Sequence, residues 1–178
     1  RNAWYVAAWD HEVTGDRPFG RMLLGEPVVL FRDAEGRAVA LEDRCCHRHY
    51  PLSRGRVVDG ALGCGYHGLT FDGTGKCIRM PAQANIPEAA CVRRYPVVER
   101  NRWIWIWMGD PALADPAQIC DFRWIDHPQW GAKGTVFHVK AGYELIIENL
   151  MDLTHLAFVH RSTIGNMAPA EQADVRVQ

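Results

Sequence analysis

The sequence predicts an α+β fold that is mostly β: a small antiparallel β domain over residues 1–112, then a second unit over 113–178 that opens with a helix. Three observations predict it. Short apolar runs of four or so residues alternate with Gly- and Asp-rich turn chemistry through the first hundred residues. Trp103-Ile104-Trp105-Ile106-Trp107 then alternates with period two, the signature of a strand. After two Asp-Pro steps, the pattern changes to a helical period from Tyr143 onward.

In chain order, Val28-Val29-Leu30-Phe31 and Ala38-Val39-Ala40-Leu41 read as two strands joined by the turn Asp33-Ala34-Glu35-Gly36, and the second strand leads into Cys45. Ala61-Leu62 runs into Cys64, and Leu69-Thr70-Phe71 leaves it before the turn Asp72-Gly73-Thr74-Gly75. Cys45-Cys46-His47 and Cys64-Gly65-Tyr66-His67 are thus expected at the tips of two hairpins. The tryptophans of 103–107 share one face and the isoleucines the other, and both faces are expected to be covered, as in a central strand. In Gly109-Asp110-Pro111-Ala112-Leu113-Ala114-Asp115-Pro116 the residue before each proline is pushed out of helical geometry, so the domain boundary is placed there. Thr135-Val136-Phe137-His138-Val139-Lys140 reads as a strand, Glu144 to Leu153 as a helix, and Ala173-Asp174-Val175-Arg176-Val177 as a strand beginning.

The two boxes carry the chemistry. Each sets one thiol and one imidazole close together, Cys-x-His and Cys-x-x-His, and two such loops can hold a [2Fe–2S] cluster with both cysteines on one iron and both histidines on the other, a Rieske centre. Neutral imidazole in place of thiolate raises the reduction potential above that of an all-cysteine ferredoxin. Structural zinc prefers Cys-x₂₋₄-Cys and His-x₃₋₅-His spacing, which neither box has. Six irregularly spaced cysteines and no secretory leader suit a reducing, cytoplasmic setting better than a disulfide framework. Cys46, Cys77, Cys91 and Cys120 then read as free, mostly buried thiols, and His49 as a hydrogen-bonding neighbour of the first box. Gly63, Gly65 and Gly68 crowd the second box, where missing side chains let backbone N–H groups approach cluster sulfides.

A second motif lies on the helix. Asp152, His155 and His160 fall as Asp-x-x-His-x-x-x-x-His; Asp152 and His155 share one side, and His160 points elsewhere unless the helix is interrupted. Bringing both histidines to one metal requires a π-bulge or break, expected near Ala157 and Phe158. Read alone, two histidines on such a helix serve more often as satisfied polar residues than as ligands. Glu144 and Glu148 read as solvated. Near-neutral charge, 48% hydrophobic residues and no apolar run of membrane-spanning length indicate a globular chain. No Lys/Arg stripe suits nucleic acid, and Gly73-x-Gly75 does not open a helix, so no nucleotide site is expected and electrons must come from another protein.

The order of these features resembles the large, oxygenase subunit of the Rieske non-haem iron oxygenases. Arg1-Asn2-Ala3-Trp4-Tyr5-Val6-Ala7-Ala8, His47-Arg48, Pro51-Leu52-Ser53, Tyr66-His67-Gly68-Leu69, Trp103-Ile104-Trp105, Gly109-Asp110-Pro111 and Asn149-Leu150-Met151-Asp152-Leu153 are similar to the branch of vanillate O-demethylase and dicamba monooxygenase. The resemblance implies a Rieske-type β domain followed by the start of a helix-grip catalytic domain. Cys45 and Cys64 would hold the inner iron, and His47 and His67 the outer. His155 and His160 would bind a mononuclear Fe(II), Asp152 would bridge to a cluster histidine of the next subunit, and Asn149 would sit near that iron. The carboxylate that completes the family's 2-His-1-carboxylate triad is not in this sequence, and a catalytic domain of that kind needs a larger core than the residues after the boundary can build, which points to a fragment.

Further implications are a ferredoxin or flavin/iron-sulfur reductase as electron donor, O₂ and an aromatic acid as substrates, and a head-to-tail ring of three subunits. The reaction implied is monooxygenation of a methyl or methoxy group. The alternatives are a Rieske electron carrier with no oxygen chemistry, which leaves Asp152, His155 and His160 unexplained, and a ring cis-dihydroxylase.

Overall fold

Strand β3 (Glu26–Arg32) divides the core in two. Its apolar run has no polar face: Val28 and Leu30 point one way, Val29 and Phe31 the other, and all four are fully buried. The computed structural model describes residues 2–164 and arranges strands β1 (Ala3–Trp9), β2 (Phe19–Leu23), β3, β4 (Ala38–Glu42), β5 (Arg56–Val58), β6 (Ala61–Gly63), β7 (Thr70–Phe71), β8 (Cys77–Arg79), β9 (Arg94–Tyr95), β10 (Val97–Arg100) and β11 (Trp103–Met108) into three antiparallel sheets. Their orders are β1-β11-β10, β2-β3-β4-β9 and β5-β6-β7-β8. The β2-β3-β4-β9 sheet is the middle layer. On one side Val29, Phe31, Val39 and Leu41 pack with Leu52, Leu62, Leu69 and Phe71; on the other, Val28, Leu30, Ala40 and Tyr95 meet Ala7, Ile104, Ile106 and Met108. Both predicted hairpins and both turns form, Asp33 and Asp72 each accepting the glycine N–H three residues on.

The tryptophan strand is central, as its alternation predicts. β11 lies between β1 and β10 with its isoleucines in the core. Its tryptophans are covered by other aromatic rings: Trp4 against Trp107 at 5.5 Å, Trp9 against Trp103 at 5.2 Å, and Phe122 edge-on to Trp103 at 5.3 Å. The chain after the Asp-Pro steps supplies part of this cover, for the Trp107 and Trp4 indole N–H groups donate to the carbonyls of Asp110 and Asp115. By its contacts the chain divides after Ala132, into Arg1–Ala132 and Lys133–Gln178.

In the second unit, α1 (Tyr143–Met151) forms where the helical period starts. The strand expected at residues 135–140 does not form. That segment is exposed and pairs with no described strand, and β-propensity without a ladder partner does not hold a strand. The strand expected at residues 173–177 lies outside the described residues. Among the described residues no helix is long and apolar enough to cross a membrane.

Candidate metal centre

The two Cys/His boxes adopt one backbone solution. In the first, the Cys45 N–H donates to the Tyr50 carbonyl at 3.0 Å and the His49 N–H returns to the Cys45 carbonyl at 2.9 Å. In the second, Cys64 donates to Leu69 at 2.7 Å and Gly68 to Cys64 at 3.1 Å. The fifth residue of each loop is left-handed, His49 at φ 53° and Gly68 at φ 73°. The second box meets this need with glycine, and the first accepts about 1 kcal/mol of strain at a histidine. His49 is thus a hydrogen-bonding neighbour of the first box, as expected, and closes its loop through its backbone. Gly65 is fixed by proximity, since a Cβ there would come within 2.8 Å of the Arg54 carbonyl oxygen.

This shared frame sorts the donors. Cys45 and Cys64 are buried, whereas His47 and His67 are exposed with ring centroids 4.7 Å apart. Burial pushes the Cys45 thiol up to about 11; the Cys64 thiol adds to the rise and the hydrogen bond from the His47 backbone opposes it. A thiol raised in this way stays protonated by itself, and a bound cation is what makes it a thiolate. The Tyr66 N–H points at Cys64 Sγ, 3.5 Å away, ready to stabilise charge on sulfur. Among the described residues no three His, Cys, Asp or Glu side chains converge on one point. The arrangement is two pairs of donors, soft sulfur inside and imidazole outside, which fits a two-iron cluster with two protein donors per iron.

Neighbouring groups add detail that the sequence did not reveal. Tyr66 stacks between His67, at 3.9 Å, and Tyr50, at 5.6 Å. A largely apolar cavity of about 430 Å³, lined by Cys46, Leu69, Met80, Pro87 and Ala90, borders both imidazoles. Only the pairing of aromatic residues with the two boxes hinted at the stack, and nothing local signals the cavity, whose walls come from distant segments. All six cysteines are free. Cys77 is buried and Cys46 partly so, but Cys91 and Cys120 are exposed, against the expectation of mostly buried thiols.

In the second unit α1 stops at Asp152, whose backbone turns to φ −86°, ψ 92°. The Asp152 carboxylate accepts the Thr154 N–H at 3.0 Å and its hydroxyl as well, capping a 3-10 turn, Leu153–His155, that leads into α2 (Leu156–Val159). The interruption therefore falls at Asp152, not at Ala157 and Phe158. An aspartate that satisfies N–H groups two residues on offers the backbone an alternative to helix, while Ala157 is buried within a regular turn. The Thr154 hydroxyl, then its N–H, hold the Asp152 carboxyl below its ordinary 3.8.

His155 ends the 3-10 turn and His160 is the C-cap of α2, with their ring centroids 5.3 Å apart. His155 Nδ1 contacts the Asp152 carbonyl. A proton on Nδ1 donated there leaves Nε2 as the free lone pair, the usual state of a metal-binding histidine. Asn149 is exposed on α1, and Glu144 and Glu148 are exposed as expected of solvated residues.

With this geometry in view, comparison with known proteins is informative. Residues 3–96 match the Rieske [2Fe-2S] domain family. The chain belongs to that family. Residues 139–178 match the vanillate O-demethylase oxygenase C-terminal domain family, so an oxygenase-type segment follows the Rieske unit. The toluene-4-sulfonate monooxygenase system iron-sulfur subunit TsaM1 of Comamonas testosteroni is 53% identical over 170 residues, 96% of this chain and 49% of that protein. The dicamba O-demethylase oxygenase component of Stenotrophomonas maltophilia is 48% identical over 163 residues, 91% of this chain and 48% of that protein. A crystal structure of dicamba monooxygenase with non-heme iron and dicamba superposes with a TM-score of 0.83 at 49% identity, covering 87% of this chain and 47% of that one. The chain spans about half the length of the curated relatives it matches.

Proposed function

We propose that this chain is the cluster-bearing part of the oxygenase component of a Rieske non-haem iron monooxygenase that acts on a methyl or methoxy group of an aromatic acid. The observation that carries the reading is the pairing of two buried thiols with two exposed imidazoles on loops of identical frame, followed along the chain by His155 and His160 at close range. Cys45 and Cys64 would hold one iron of the cluster, His47 and His67 the other, and His155 and His160 would hold a mononuclear Fe(II). When bound, the cluster supplies one-electron transfer and the mononuclear iron supplies O₂ activation.

The residues of this chain position and tune. Buried Cys45 and Cys64 keep the sulfur side away from water, and His47 and His67 present the electron-exchanging side. Asp152 fixes the His155 ring through its carbonyl, and its carboxylate faces a cluster histidine of the neighbouring subunit in a ring of three. Asn149 lies near the mononuclear iron. A ferredoxin or flavin/iron-sulfur reductase is the electron donor. The Rieske unit ends functionally at residue 112, with residues 113–132 acting as a cover on its tryptophan face. Relatives named for toluene-4-sulfonate, vanillate and dicamba support the substrate class, each an aromatic acid with a methyl or methoxy group.

Iron counting on the full chain tests this. Three irons per chain are expected, with one lost in His155→Ala, and formaldehyde should be released from a methoxybenzoate in the presence of a reductase. Two irons and no product would leave an electron carrier in its place.

A further inference from the structure

The β5-β6-β7-β8 sheet buries one face against the core, through Leu62, Phe71 and Cys77, and turns the other outward. On the outward face a single row crosses all four strands: Arg56 opposite Gly63, Gly63 opposite Thr70, Thr70 opposite Arg79. Residues in one row project to the same side of a sheet, so an arginine stands at each edge with only a glycine and a threonine between them. The Arg56 side chain lies over Gly63, where a Cβ would meet its Cγ at 3.6 Å. At the other edge Phe71 pairs with Cys77 and Thr70 with Arg79, which leaves Ile78 as an extra residue. Such a bulge re-aims the side chains around it. The outcome is an open hollow of about 470 Å³ walled by Arg56, Gly68, Thr70, Ile78 and Arg79, with Asp59 on its rim.

Both arginines are exposed, and among the described residues neither has a carboxylate partner. Arg21, Arg32, Arg37, Arg93 and Arg123 are each paired with one. Residues 44–58, which lead from the first loop into β5, carry Arg44, Arg48, Arg54 and Arg56 and no acidic residue. The hollow also adjoins the cluster site, because Gly68 in its wall directly follows His67.

We propose that the Arg56–Arg79 row is the docking point of an acidic one-electron donor protein, whose surface carboxylates enter the hollow and pair with the two guanidiniums. The proposal rests on the reading that an external protein reduces the cluster. Two arginines on rigid strands, facing over residues too short to fill the space, offer fixed forks for carboxylates. Carriage by strands rather than loops keeps them in register with the His67 side of the cluster. A small free anion would remain hydrated in so open a hollow, whereas a protein carboxylate arrives with a surface that covers it.

The test is stopped-flow reduction of the cluster in the full chain by a reduced acidic plant-type [2Fe–2S] ferredoxin and, separately, by the reduced methyl viologen cation. In the native protein the ferredoxin rate should fall as salt is raised. In Arg56→Glu/Arg79→Glu it should drop about tenfold or more at low salt and lose its salt dependence, with the viologen rate and subunit number unchanged. Arg56→Lys/Arg79→Lys should recover part of the rate, and Arg17→Glu, on an exposed loop away from the cluster sheet, should match the native protein. A double reversal reduced as fast as the native protein overturns the proposal. So does an equal loss with viologen, which means the cluster itself is damaged, or a changed subunit number, which assigns the row to contacts between copies of the chain. If viologen reduces the native protein and ferredoxin does not, the external-donor reading falls and the docking point with it.

Discussion

The cluster loops and the Asp152–His160 segment both bring a pair of imidazoles together, at 4.7 Å and 5.3 Å between ring centroids, but by different means. Each cluster loop is tied at both ends by strands whose apolar sides are in the core, and its backbone is closed by two hydrogen bonds of its own. The second pair follows a helix that has no buried residue among Tyr143–Met151, and its geometry rests on one capping aspartate. Helices draw most of their stability from packing of an apolar face, so the first site is set by core packing and the second by local capping chemistry.

This contrast makes the two sites separable by substitution. Cys64→Ser should abolish the visible absorbance of the cluster altogether, because its sulfur is one of the two buried ones of the loops; His155→Ala should leave that absorbance intact while removing one iron. Loss of the cluster spectrum in His155→Ala would contradict the independence of the two sites. Asp152→Asn keeps a capping oxygen and removes the charge, so turnover of the full chain should fall by ~100-fold with iron content unchanged, measured as formaldehyde released per cluster. Full activity there would remove the bridging role.

Within the cluster unit the two loops should respond unequally to changes at their tight positions. Gly65→Ala drives a Cβ to within 2.8 Å of a backbone oxygen and should cost about 2–3 kcal/mol by denaturant unfolding. His49→Gly relieves left-handed strain while adding unfolded-state entropy, so it should change stability by less than about 1 kcal/mol.

The smallest effect is one of pH. The Asp152 carboxyl lies below its ordinary 3.8, so its cap is fully present above that value and is lost as the pH falls through the lower folded value. Thr154→Val should move that loss upward toward 3.8, followed by the His155 ring resonances.

Much of the first unit was legible because its signals are local. Turn residues at 33–36 and 72–75 bracket apolar runs of strand length, and the alternation of Trp103 to Trp107 admits no other element. Where the sequence misled, the deciding contact was either absent or remote. Residues 135–140 have strand-like composition but no described neighbour to pair with. An interruption between His155 and His160 was expected near Ala157, but Leu156–Val159 is a regular turn; the break falls before both histidines, at Asp152, whose carboxylate caps the next turn. Proline chemistry located a change of pattern at residue 111, and the residues just after it still cover the tryptophan face of β11 through Phe122 and the Asp110 and Asp115 carbonyls.

By itself the sequence determined the candidate donor set and its grouping, since two boxes of one cysteine and one histidine are a matter of residue type and spacing. It also determined the strands that flank them, because period-two burial and turn chemistry are read within a few residues. Only the tertiary structure decided which donors face inward, that His49 serves its loop through the backbone, and that Arg56 and Arg79 share a row. Those depend on register between strands and on which face meets the core, and register is settled by packing across the sheets rather than by any short stretch of chain.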